Sequence, residues 1–160
     1  MLLKYCGSKG VEMENEELDH VIFEPKPGFD LGKYGNVFTI SFNQEFAQRL
    51  NNILVDYHKN FSLQGQPLCF FKMLRNLMEI PGDEEAGELY QSTQFILQRY
   101  QHVYTVACER EFAQNLNQIL TRFMVQKRVS PALFGFAKQL EGSLYSKRFD
   151  VRTRYADELF

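Results

Sequence analysis

The sequence predicts an α+β fold built from two internally duplicated units, each running strand, strand, helix, helix, and packed with pseudo-twofold symmetry. Three observations predict it. Residues 37–54 are echoed by residues 103–120 at an offset of 66 without a gap, with ten of the eighteen positions identical. Self-similarity of that kind points to internal repetition. Both copies pass from a β-branched and aromatic stretch (Val37-Phe38-Thr39-Ile40-Ser41-Phe42 and Val103-Tyr104-Thr105-Val106-Ala107-Cys108) into helical periodicity. Both also place a proline, Pro67 or Pro131, where a second helical stretch begins. The alternative is an all-α helical bundle, because short apolar runs do not separate strand from helix by period alone.

Taken in order, residues 1–19 form a polar, acidic N-terminal arm, and 20–160 a single duplicated domain. Repeat one spans about 20–82, repeat two about 83–146, and a basic aromatic C-terminal segment covers 145–160. His20-Val21-Ile22-Phe23-Glu24 reads as the first strand. Pro25 to Asn36 reads as a turn-rich connection to the strand at 37–42. Phe46, Leu50, Ile53, Leu54 and Tyr57 then recur on one helical face, with Ser41 or Asn43 as cap and Glu45 favouring the helix dipole. A second helix covers 68–78. Residues 83–101 read either as a helix capped by Asp83 or as a strand over Phe95-Ile96-Leu97-Gln98; the repeat favours the strand. Phe112, Leu116, Ile119, Leu120 and Phe123 repeat the first helical stripe, and Ala132, Phe136, Leu140 and Leu144 make another.

Two such units bury apolar faces that neither can cover alone. The repeated Gln48/Gln114 and Asn51/Asn117 are candidate symmetric polar contacts, since a solvated face does not demand those identities. The fifteen Phe and eight Tyr, with no Trp, indicate a core filled by rings.

Three widely spaced cysteines, Cys6, Cys69 and Cys108, suit buried thiols in a reducing, cytoplasmic setting. The N-terminus is too quickly polar for a signal peptide, and no apolar run approaches a bilayer span. His20, His58 and His102 lie far apart, with no pair at metal-ligand spacing. No nucleophile elbow occurs. Gly28-Phe29-Asp30-Leu31-Gly32-Lys33-Tyr34 falls short of a phosphate loop, with three residues between its glycines and Tyr34 where a hydroxyl should bind metal. It reads as a turn containing a lysine. No catalytic residue, cofactor site or metal site is expected.

Charge is unevenly spread. Residues 1–30 hold seven acids and three lysines, whereas eight basic residues and two acids lie between Arg122 and Arg154. Within the latter, Tyr145, Lys147, Arg148, Phe149, Arg152 and Arg154 interleave cations with aromatics and are candidate partner- or anion-binding residues; in a helix Arg148 and Arg152 would be four apart. These features favour a non-enzymatic intracellular interaction or regulatory module (an adaptor, inhibitor or immunity-type binder) acting on another protein or on itself as a homodimer. Nucleic-acid binding through 145–155, together with Arg122, Lys127 and Arg128, is the alternative, disfavoured by the acidic balance of the chain. A small-molecule pocket between the halves is the third reading.

Overall fold

The computed structural model describes residues 27–80 and 88–155; the acidic arm and the strand expected at 20–24 lie outside them. The fold is α+β: the described residues form six strands in one antiparallel sheet and four helices, which excludes the helical bundle. The elements are β1 (Phe29–Tyr34), β2 (Val37–Phe42), α1 (Gln44–Phe61), α2 (Gly65–Met78), β3 (Glu88–Gln91), β4 (Phe95–Tyr100), β5 (Val103–Glu109), α3 (Arg110–Gln126), α4 (Pro131–Tyr145) and β6 (Asp150–Tyr155). The sheet order is β3-β4-β5-β2-β1-β6.

Advancing the bounds of β1 by 66 residues, from 29 and 34 to 95 and 100, lands on β4, and the same shift carries β2, α1 and α2 onto β5, α3 and α4 to within one residue. The strand pairing obeys the same relation. At the centre of the sheet Ile40 lies opposite Val106, its own counterpart, with Phe38 opposite Cys108 and Phe42 opposite Tyr104 on either side. The pairing pattern is therefore twofold about the β2–β5 contact.

Three expectations change. Each helix pair is followed by a further strand, β3 or β6, which the expected strand-strand-helix-helix order did not include. The first strand among the described residues is 29–34, inside the stretch expected to be a turn. Its glycines disguise an alternating pattern in which Phe29, Leu31 and Lys33 point inward. The turn is only Gly35-Asn36, where Gly35 supplies the positive φ of 66° that such tight hairpins need. Lastly, 150–155 is an edge strand, so Arg148 and Arg152 do not share a helical face. Residues 88–91 and 95–100 are strands as well.

Local chemistry explains the helices. Asn43 caps α1, its Oδ1 accepting from the Phe46 amide at 2.9 Å, and the Ser130 hydroxyl caps α4 by accepting from Leu133 at 3.4 Å. His58, near the end of α1, accepts the Leu63 amide on Nδ1 at 2.9 Å and shapes the turn that follows.

The core shows why the halves need each other. All four helices pack on one sheet face through phenylalanines. Phe29 of β1 meets Phe46 of α1 at 5.7 Å and Phe136 of α4 at 5.2 Å between ring centroids. In the second half Phe95 of β4 meets Phe112 of α3 at 4.8 Å and Phe70 of α2 at 5.5 Å. Each cluster draws two rings from one half and one from the other. The further strands cross over in the same way: β3 pairs with β4, and β6 with β1. Phe46, Leu50, Ile53 and Leu54 of α1 are buried, as are their counterparts Phe112, Leu116, Ile119 and Leu120 of α3.

Two buried cations complete the exchange. Lys33 Nζ donates to the Ser146 carbonyl at 2.8 Å, just past the end of α4. Arg99, its counterpart in β4, donates through Nη1 to the carbonyls of Leu77 at 2.6 Å and Ile80 at 2.7 Å, at the end of α2, and through Nε to Gln101 at 2.7 Å. Helix C-termini expose unpaired carbonyls and partial negative charge, so a cation there answers both needs. Arg99 also lies 5.1 Å from the Tyr104 ring centroid. Burial raises the Tyr104 hydroxyl pKa, and the Arg99 charge partly offsets the rise.

Candidate functional site

The inward positions of each strand are covered by helices; the outward positions form a second face, which no element among the described residues covers. Across it run Leu89 and Gln91 of β3, Ile96, Gln98 and Tyr100 of β4, Val103, Thr105 and Ala107 of β5, Val37, Thr39 and Ser41 of β2, Asp30, Gly32 and Tyr34 of β1, and Asp150 and Arg152 of β6, as the cross-strand registers require. Leu89 and Tyr100 are each 53% exposed, Val37 47%, Tyr34 42% and Ile96 37%. The middle of the face is floored by the small residues Thr39, Ser41, Thr105 and Ala107. Gly32 leaves room for Tyr34: a Cβ there would stand 3.0 Å from the Tyr34 ring and 2.8 Å from the Thr39 hydroxyl. Tyr34 and Tyr100 are counterparts and sit at opposite ends of the face.

The C-terminal candidates divide among several jobs. Arg152 is held on this face by Asp30, with Nη2–Oδ2 2.8 Å and Nε–Oδ1 3.3 Å. That hydrogen bond, with the Asp30 charge, raises the guanidinium pKa. Phe149 is exposed, and its ring abuts Gly35, whose amide donates to the Phe149 carbonyl at 2.9 Å. Tyr145, Lys147 and Arg148 are exposed at the end of α4 and just beyond it. Arg154 lies in β6 opposite Asp30; its side chain is outside the description. The segment therefore brings together Phe149, Arg152 and the β1–β2 hairpin, and spends one of its cations on Asp30.

The repeated polar residues occupy unequal settings. Asn117 is buried and donates from Nδ2 to the Ala137 carbonyl at 2.9 Å, tying α3 to α4. Asn51 is half-buried, with Oδ1 shielded and lacking a hydrogen-bond partner. Gln48 is exposed and Gln114 half-buried. The Asn117 bond lies within the second half and has no equivalent at Asn51, so it is not a symmetric pair of contacts.

On the outer side of the helices two grooves lie between the halves. One, about 210 Å³, is lined by Arg49, Asn52, Ile53 and Asp56 of α1 and by Phe123, Arg128, Val129, Ser130 and Leu133. The other, about 280 Å³, is lined by Tyr57, Ser62, Leu63, Gln64, Pro67, Asn115, Gln118 and Ile119. Shifted by 66, each residue of the second groove falls on a residue of the first.

Sequence reasoning missed Lys33, Arg99 and Arg49, and named Arg128 only as an adjunct to nucleic-acid binding. The first pair were legible in principle: cations at inward positions of two strands, 66 residues apart. Among the described residues no group of His, Cys, Asp and Glu could hold a metal ion, and no helix is long and apolar enough to cross a membrane. Cys108 is buried against the helices, and that burial, with the Glu109 charge, pushes its thiol up to about 12. A thiol so held is a poor nucleophile. The class these features define is a one-layer antiparallel sheet backed by helices, with one sheet face left open by the described residues. Comparison with protein-family models, curated proteins and solved structures finds no match to this chain.

Proposed function

We propose that the protein is a non-enzymatic interaction or regulatory module that docks a different polypeptide on the uncovered face of its sheet. The observation that supports this reading is the exposure of Leu89, Ile96, Tyr100, Val37 and Tyr34 together on that face. Half-exposed antiparallel sheets usually present polar residues outward. Large apolar side chains gathered on an open face are instead a feature of contact surfaces. The floor of small side chains between the two tyrosines lets a partner backbone or flat side chain approach closely. A foreign polypeptide fits better than a second copy with the strand directions crossed over, because Asp30, Asp150 and Arg152 at one edge would then face Leu89 and Ile96 at the other.

The test pairs a face variant with a folding control. Leu89→Lys/Tyr100→Ser leaves the melting temperature nearly unchanged, since both side chains are more than half exposed. The variant should lose a polypeptide that co-purifies stoichiometrically with the unaltered chain. Retention of that polypeptide in full, or a purified chain that is a dimer only while the face is intact, would overturn the assignment of a foreign partner. Binding to short RNA with a steep salt dependence, abolished by Arg148→Ala/Arg152→Ala, would favour nucleic acid instead.

A further inference from the structure

We infer that the groove between α1 and the α3–α4 connection binds a phosphate monoester. Arg49 and Arg128 border this cavity of about 210 Å³ and make no ion pair or hydrogen bond among the described residues. Its apolar floor, Ile53, Phe123, Val129 and Leu133, comes from both halves, with Ile53, Phe123 and Leu133 buried in the core, whereas Arg49 and Arg128 at the rim are exposed.

The second groove serves as an internal control. It has the same backbone frame and the same kinds of lining positions, but Asn115 stands for Arg49, Ser62 for Arg128, Gln118 for Asn52 and Tyr57 for Phe123. The frame is thus satisfied without either cation. Two guanidiniums placed at one of two equivalent cavities serve no folding need that the other cavity lacks.

The charges around the site favour an anion. Asp56 also lines the cavity, but Lys127 sits 3.4 Å from its carboxylate, leaving the two arginines in excess. The α4 helix begins at the cavity rim with Ser130 and Pro131, adding the positive end of its dipole. Guanidinium forks match phosphate oxygens in pairs, and a monoester offers three of them. The apolar floor accepts the ester's carbon portion, and the volume limits that portion to a ring or short chain. The site lies on the helix side, away from the uncovered sheet face, and stands independently of the docking proposed there.

The test is an amide NMR titration of the full chain with phenyl phosphate, with inorganic phosphate and benzoate as separate arms. Saturable shifts are expected at residues 49–56 and 128–133 but not at 62–67 or 115–119, with phenyl phosphate binding more tightly than either other probe. Arg49→Asn/Arg128→Ser installs the residues the second groove already carries, so the fold should be retained while affinity falls at least about tenfold. Should that pair prove unstable, Arg49→Asn alone should still weaken binding several-fold. Absence of saturable shifts, equal response of both grooves, or unchanged affinity in the folded variants overturns the site; tighter binding of benzoate overturns the choice of phosphate.

Discussion

Replacing Arg99 with methionine should remove the strongest polar tie between the halves. Arg99 is 4% exposed, and its guanidinium donates to three carbonyls, two of them at the end of α2. Methionine fills a similar volume but leaves the Leu77, Ile80 and Gln101 oxygens without this donor. A hydrogen bond from a charged group contributes about 1.5–3 kcal/mol, and desolvating the cation returns part of that. The expected net loss is about 3–5 kcal/mol, a large share of the stability of a domain this size. Lys33→Met removes a single bond, to Ser146, and should cost about 1–3 kcal/mol. Urea unfolding followed by circular dichroism measures both, with unchanged denaturant slopes showing that the compared states are the same. For a chain of about this length the Arg99→Met loss corresponds to a fall of roughly 10 °C in melting temperature. Arg99→Lys should fall between, because one ammonium cannot span three carbonyls. An Arg99→Met protein as stable as the parent would refute the reasoning: the buried cation would then return no more than its burial costs.

Leu50→Ala and Leu116→Ala, at counterpart buried positions in α1 and α3, should each lose about 2–5 kcal/mol in thermal melts, and by similar amounts. Asn117→Ala should cost about 1–2 kcal/mol by breaking its bond to Ala137, whereas Asn51→Ala, at an oxygen with no partner, should cost less or stabilise. Cys108 should resist iodoacetamide in the folded protein and react fully only in denaturant, as mass spectrometry can follow. Because folding raises its pKa to about 12, the stability it contributes is complete below about pH 8.5 and declines as pH rises toward 12. Cys108→Ala should therefore flatten the alkaline loss of stability measured by urea titration at successive pH values.

The sequence carried the long helices plainly, because Phe46, Leu50, Ile53 and Leu54 recur at helical spacing and reappear 66 residues later. It hid β1, since Gly28, Gly32 and Gly35 look like a turn while alternation survives only in Phe29, Leu31 and Lys33. The further strands were illegible for a different reason. β3 and β6 are short edge strands whose partners belong to the opposite half, and pairing across such distance leaves no local periodicity. Tyr145 to Tyr155 suggested a basic helix because its cations fall four apart; in the structure Asp150 and Arg152 alternate onto one sheet face, and Asp30 claims Arg152. The open face could not be read at all: Ile96 and Leu97 are adjacent apolar residues, and only the sheet decides that one is exposed and the other buried.

The most direct measurement of the proposed role uses that adjacency. A photo-cross-linking residue placed singly at Ile96, Tyr100 or Val125 of the full chain, in cells, reports what touches each surface. Ile96 and Tyr100 lie on the uncovered face, and Val125 is 82% exposed on α3. The account predicts adducts of one common foreign polypeptide at Ile96 and Tyr100 and none of it at Val125. Adducts of that polypeptide at Val125 alone, or only copies of this chain at the sheet positions, would contradict it.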